Sequence, residues 1–251
     1  MLGDGIPLLL FHQAPMTSGQ FDNVYGPLAG HGIKAIGVDM PGFGMSDPTG
    51  GVPSVEDFAQ VAPAVMDALG LKRAAVLGHH TGALVASEVS VAFPDRVTAV
   101  ILAGPLPLTE EERHQWLTTT TPREKALVPV AGGSHLTSIF QTRERMANGS
   151  VPPERISDYV IQALMGKGAY WHGHHAAFQY HQDKAIERMT HPTLILTNTG
   201  DQIYAHAQRA RAMRPDFKYA ELQGHGIDIV DQAPIEWSAE VAAFLKGLPS
   251  A

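Results

Sequence analysis

A chain of 251 residues, 44% of them hydrophobic, carries enough apolar mass for one α/β domain with an inserted segment. Its 18 Lys and Arg against 25 Asp and Glu give a formal charge of −7 with no long run of either sign, which argues against nucleic acid and anionic membrane as partners. The absence of cysteine excludes a disulfide framework, a thiolate metal site and a cysteine nucleophile together.

The first apolar run, Ile6 to Phe11, is too short to cross a membrane and lacks the basic start and small-residue cleavage site of a signal peptide, so the chain reads as soluble and cytoplasmic. It begins so close to Met1 that no hairpin is expected before it. Further short runs at Ile33 to Val38, Ala74 to Leu77, Thr98 to Leu102, Thr193 to Thr197 and Phe217 to Leu222 read as strands. Helical patterns fall between them at Ser54 to Leu69, Gly82 to Phe93 and Pro234 to Phe244, with Ser54 and Asp57 placed as an N-cap and a first-turn acid. This alternation predicts a mainly parallel sheet flanked by helices.

Between Pro105 and His191 the alternation stops, and Thr118 to Thr121, Pro129 to Gly133 and Pro152-Pro153 interrupt short helical pieces. The expected organisation is a core of residues 1–104 and 191–251, with a mainly helical cap, 105–190, over the end of the sheet where strand carboxyl termini and ligands meet. Exposed sheet edges invite pairing with another chain, so the expected partners are a small-molecule substrate and a second copy in a homodimer.

The strongest local signal is Val76-Leu77-Gly78-His79-His80-Thr81-Gly82-Ala83-Leu84-Val85-Ala86. A buried strand ends, small residues flank a central one, and a helix starts at once, the layout of a nucleophile elbow. Gly78 and Gly82 permit close approach of strand and helix, and the Thr81 amide sits at a helix N-terminus facing the reacting centre. Four further segments stand in order along the chain: Phe11-His12-Gln13-Ala14-Pro15 after the first strand, Asp39-Met40-Pro41-Gly42-Phe43-Gly44-Met45-Ser46-Asp47 after the second, Asp201 just after a late strand, and Gly224-His225-Gly226 after the last.

On these five motifs the chain resembles the α/β-hydrolase superfamily, in particular capped members such as esterases, lactonases, epoxide hydrolases, haloalkane dehalogenases and carbon–carbon hydrolases. The resemblance spans nearly the whole chain. It implies an α/β-hydrolase fold in which His80 stands where the family carries its nucleophilic serine, Asp201 is the acid and His225 the general base. Asp228 and Asp231 are the fallback acids. The backbone amides of Ala14 and Thr81 become the oxyanion donors, and Gln13 departs from the glycine usual in that loop.

An imidazole at position 80 has three chemical routes. It can attack an activated carbonyl, it can act as a general base on water or substrate, or it can join His225, His172, His174, His175 and His181 as a metal ligand. No carboxylate stands at a familiar ligand spacing, so the expectation is neither metal nor cofactor. Two imidazoles in one pocket discourage each other's protonation, and Asp201 beside His225 favours the charge there, which leaves His80 neutral. The aromatic residues of the insertion, among them Trp116, Tyr170 and Phe178, serve packing and an apolar pocket. The combined reading is a hydrolase of a small, largely apolar ester, lactone or carbon–carbon substrate through a His-Asp-His site. Its rivals are a lyase, decarboxylase or cyclase on the same fold, and a small-molecule receptor without turnover.

Overall fold

The computed structural model describes residues 1–249. In chain order the elements are β1 (Ile6–Phe11), α1 (Asp22–Gly30), β2 (Ile33–Val38), α2 (Val55–Ala59), α3 (Val61–Ala68), β3 (Ala74–His79), α4 (Thr81–Ala92), β4 (Val97–Ala103), α5 (Glu110–Lys125), α6 (Ser134–Ala147), α7 (Pro153–Met165), α8 (His172–Gln179), α9 (Gln182–Arg188), β5 (Thr193–Asn198), α10 (Tyr204–Met213), β6 (Lys218–Leu222), α11 (Ile229–Gln232) and α12 (Pro234–Lys246). The strands form one six-stranded sheet in the order β2-β1-β3-β4-β5-β6, and every neighbouring pair is parallel. On its outer side β2 takes a single antiparallel bridge from Leu2 to Ala35. Among the described residues no helix is long and apolar enough to cross a membrane.

The period of two along each strand decides which helices cover which face. In β1, Leu8 and Leu10 join Leu77, Ile101 and Leu196 beneath α1 and α12, where Trp237 and Val241 pack. Leu9 and Phe11 point the other way, into a cluster with Val76, Val100 and Ile195 under α2, α3, α4 and α9. Both faces are therefore buried, which is why these strands read as continuous apolar runs.

The expected helix from Ser54 to Leu69 is two pieces that meet at Gln60. Pro63 has no N–H to offer the Ala59 carbonyl, and its ring crowds that carbonyl, so the ladder breaks there. Ser54 and Asp57 form a reciprocal capping box at the start. Thr118 to Thr121 do not interrupt anything: α5 runs through them, with the Thr118 and Thr119 hydroxyls folded back onto the His114 and Gln115 carbonyls at 2.8 and 2.7 Å. Five helices, α5 to α9, thus fill the chain between β4 and β5. One anchor of this segment is Glu112, whose carboxylate takes Arg209 of α10 at 2.6 and 2.9 Å; that bonding, working against burial, holds its carboxyl down to about 2.

The chain passes from β1 to β2 on one side and then crosses to β3 on the other, so strand order reverses between β1 and β3. A crevice opens at the carboxyl ends of strands at such a switch point. The loop Gln13 to Pro15 and the residue after β3, His80, meet there. Their approach is backbone to backbone: a Cβ on Gly82 would lie 2.0 Å from the Phe11 carbonyl oxygen, and one on Gly78 would lie 1.8 Å from that of Gly82. Gly82→Ala is expected to lower stability by about 3 kcal/mol, read as a lower urea midpoint at unchanged slope. A midpoint equal to the parent's would contradict the close approach.

Candidate active site

His80 sits between β3 and α4 at φ 50° and ψ −113°, in the left-handed half of conformational space that a residue with a Cβ avoids. Its amide donates to the Ala103 carbonyl at 2.8 Å and its carbonyl accepts from Ala83 at 2.7 Å, so bonds on both sides hold the turn. The neighbouring strand leaves room for the ring only because residue 104 is glycine: a Cβ on Gly104 would stand 2.7 Å from His80 Cδ2.

His80 Nε2 lies 2.7 Å from Asp201 Oδ2, with the two side chains 12% and 2% exposed. The other carboxylate oxygen, Oδ1, accepts from the Ile203 amide at 3.1 Å. Burial alone would raise the Asp201 carboxyl; the charge and hydrogen bond of His80, the Ile203 amide and the nearby His79 outweigh it and hold the group below its ordinary value. A carboxylate only accepts, so in its neutral form the His80 ring carries its proton on Nε2 and its lone pair on Nδ1. Among the described residues Nδ1 has no hydrogen-bond partner.

Behind this ring lies a second imidazole. His79 stacks on His80 with centroids 4.5 Å apart and planes at 22°. The Gln20 side chain accepts from the Gln13 amide at 2.9 Å and presents its Nε2 to His79 Nδ1 at 2.9 Å, which places the His79 proton on Nε2. Burial, followed by the His80 charge, pushes His79 well below the ordinary imidazole range. His12 is neutral by the same logic: Nδ1 is 2.9 Å from the Gln13 carbonyl, Nε2 accepts from the Met40 amide at 3.1 Å, and burial lowers the ring to about 4. The turn after β2 has a structural task. Asp39 accepts from the Ser18 and Met45 amides at 2.7 and 3.0 Å, and Gly44 is required because a Cβ there would stand 2.2 Å from that carboxylate.

His80, Thr81, Gln13, Ala14 and Pro15 form the floor of a cavity of about 420 Å³, and Trp116, Tyr170, His174 and Phe178 are among its walls. The Ala14 and Thr81 amides make no hydrogen bond within the described residues. Gln13 lies beside them with its own Oε1 buried and unpartnered. From α6, Arg143 reaches the cavity while paired with buried Asp228 and lying 4.5 Å from the centre of the Tyr159 ring.

Of the three side chains expected to act together, the structure joins two. Asp201 meets His80 and not His225. The His225 backbone, at φ 58°, is fastened by Asn198, whose Nδ2 donates to the carbonyls of His225 and Gly226 at 2.8 and 3.0 Å. Its side of the loop faces a separate depression with Met146, Asn148, Gly200 and Gln232. The imidazole that shares the His80 environment is thus His79, and the bond expected for His225 is made by His80. The fallback acids are engaged elsewhere, Asp228 with Arg143 and Asp231 with Arg155 and Tyr159. Of the insertion's histidines, His172 and His175 both pack edge-on against Trp171 and His174 pairs with Glu124, and the described residues contain no group of three His, Asp or Glu that could hold a metal ion.

This geometry coincides with a family likeness over most of the chain. The sequence profile of the alpha/beta hydrolase fold matches residues 6–223. The chain belongs to that family. Within it, the chain is 32% identical over 105 residues to a non-heme chloroperoxidase of Streptomyces lividans, covering 41% of this chain and 38% of the relative. It is 31% identical over 111 residues to a 2-hydroxy-6-oxo-6-phenylhexa-2,4-dienoate hydrolase of Comamonas testosteroni, covering 41% and 37%. The matched segment thus spans less than two thirds of these curated relatives. Among solved structures of the fold, an esterase from Exiguobacterium antarcticum superposes with a TM-score of 0.82 at 17% identity, over 98% of this chain and 94% of that one.

Sequence reasoning missed His79 and Gln20. The doubled histidine at the elbow was the available signal, since a polar residue ending an apolar strand needs a buried partner. The lowered Asp201 carboxyl carries a stability consequence. A depressed carboxyl contributes stability that is complete above its unfolded value near ~3.9 and is lost as pH falls through the folded one. Asp201→Asn is therefore expected to be less stable than the parent near neutrality, with the gap narrowing below about pH 4 in denaturant titrations. A gap independent of pH would contradict this pairing.

Proposed function

We propose that the chain hydrolyses a small, largely apolar ester, lactone or activated carbon–carbon bond, with His80 as general base, Asp201 as its partner, and the Ala14 and Thr81 amides as oxyanion donors. The observation that carries this reading is the 2.7 Å contact of His80 Nε2 with Asp201, which leaves Nδ1 as the unpartnered nitrogen of a residue that lines the cavity. Water is deprotonated by Nδ1 as its oxygen attacks the carbonyl, and the imidazolium formed is stabilised by the carboxylate it already touches. The negative charge on the carbonyl oxygen falls to the two unpartnered amides, where fixed N–H dipoles are worth most.

Base catalysis is favoured over attack by the ring itself on steric grounds. The available nitrogen is Nδ1, which is flanked by the chain-bearing carbon and crowded at an acyl centre. Neither His79 nor His225 stands ready to activate water for deacylation at His80, because His79 is held by Gln20 and His225 faces a separate depression. The dienoate hydrolase and the esterase among the similar proteins support hydrolysis as the reaction type. In this reading residues 105–190 act as a cap on a core of 1–104 and 191–251, and the cap sets substrate size. The two open edges of the sheet, β2 and β6, are where a homodimer would pair.

A panel of aryl esters tests the proposal. His80→Ala is expected to lower kcat/KM by about 10²- to 10⁴-fold, with no acyl adduct on the parent by intact mass, while His225→Ala keeps most of the activity. Full activity in His80→Ala would contradict the base assignment, and a trapped adduct on His80 would replace it with the nucleophilic route. Absence of turnover together with a ligand-induced rise in Tm would favour a receptor.

A further inference from the structure

The wall of the same cavity carries a second imidazole–carboxylate pair. His174 of α8 places Nδ1 2.6 Å from Glu124 Oε1 of α5, and both residues line the cavity that His80 floors. The His174 ring lies parallel to Phe178, centroids 5.7 Å apart and planes at 5°, and Phe178 is held edge-on by Trp116 at 4.9 Å. With Nδ1 committed to Glu124, Nε2 has no protein partner among the described residues. The second Glu124 oxygen is buried and unpartnered, so the carboxylate has no competing donor.

The hydrolysis described above supplies a base at His80 and no separate acid for the departing oxygen. We propose that His174, oriented by Glu124, is the general acid that protonates the leaving group; this rests on the hydrolytic reading of the site. As the tetrahedral intermediate collapses, the acyl C–O bond to the leaving group breaks, the electron pair goes to that oxygen, and the proton on His174 Nε2 goes with it. The proton taken from water stays on His80 Nδ1 and is lost to solvent, while His174 regains one from solvent. The net change is substrate plus water to acid plus alcohol.

The surroundings support the protonated state of this ring. Burial lowers its proton affinity and Arg143 of α6 lowers it further, but the charge and hydrogen bond of Glu124 outweigh both and raise it above the ordinary imidazole value. The other charged and titratable groups near it are Arg123 of α5 and Tyr170, both on the cavity wall, and His80 on its floor. On α8 itself, burial and the Lys125 charge lower His172 and His175. Lys125 of α5 lies over the Trp171 ring at 4.1 Å, and Glu88 of α4 is taken by the Tyr180 hydroxyl at 2.7 Å. Two imidazole–carboxylate pairs on one cavity, one presenting a lone pair and one a proton, form an acid–base set.

Leaving-group dependence tests this. Ethyl and p-nitrophenyl esters of one acid are compared in the parent, His174→Gln, Glu124→Gln and His80→Ala. A p-nitrophenolate departs without protonation, so His174→Gln should lower kcat on the ethyl ester by about 10²-fold and leave the p-nitrophenyl ester within a few-fold. Because the acid form is required, the rate on the ethyl ester falls as pH rises through the His174 titration, and Glu124→Gln should move that limb to lower pH. Histidine proton resonances of the full chain, assigned with His174→Gln, should show the same downward shift without substrate. Equal losses on both esters, no loss on either, or a His174 titration unmoved by Glu124→Gln would overturn the acid role while His80→Ala still abolishes turnover. A selective His174 effect alongside an active His80→Ala would instead overturn the base assignment. A parent inert toward both esters would overturn the two together.

Discussion

The turn at His80 exists because two backbones touch. Strand β3 and helix α4 come together at Gly78 and Gly82, and the Phe11 carbonyl occupies the space a side chain on residue 82 would need. That crowding forces His80 to positive φ, at a local cost of about 1–3 kcal/mol, and swings its ring over the carboxyl ends of the strands. Gly104 then clears the ring's path from the neighbouring strand. The Asp201 pair and the His79 stack are both built on this one strained residue.

Around that residue, hydrogen bonding divides the labour among four histidines. His12 and His79 are neutral and immobile because each has a nitrogen accepting from a fixed donor in a dry environment. His80 and His174 each give one nitrogen to a carboxylate and keep the other for the cavity. They differ in which nitrogen is committed: Nε2 in His80 and Nδ1 in His174. Chemically identical side chains thus present different nitrogens, with local partners deciding which.

The central strands were legible because both faces of the sheet are buried there and β1, β3, β4 and β5 are largely apolar runs; Ile6–Phe11 and Ile33–Val38 were bounded to the residue. The elbow was legible because its glycines are steric requirements that leave a spacing in the sequence. Asp201 was found by its place after β5. Its partner was not, because the choice between His80 and His225 depends on how the loop after β6 is fastened, and that is decided by Asn198 bonding to carbonyls 27 and 28 residues away in the chain. The Glu124–His174 pair, 50 residues apart, was hidden for the same reason. α5 was obscured by four consecutive threonines, two of whose hydroxyls, on Thr118 and Thr119, are satisfied by the helix's own carbonyls. Local pattern identifies elements; cross-chain hydrogen bonds assign chemistry.

The central claim is that Asp201 holds the elbow histidine through Nε2 and leaves Nδ1 free. Nitrogen-15 spectra of the histidine-labelled chain, followed with rising pH until the elbow ring is neutral and with that ring assigned by His80→Gln, report this directly. The expected spectrum has an Nε2–H signal shifted downfield by its carboxylate acceptor and an unprotonated Nδ1, and it loses that shift in Asp201→Asn. An elbow ring protonated on Nδ1, or one whose spectrum is indifferent to Asp201→Asn, would contradict the pairing.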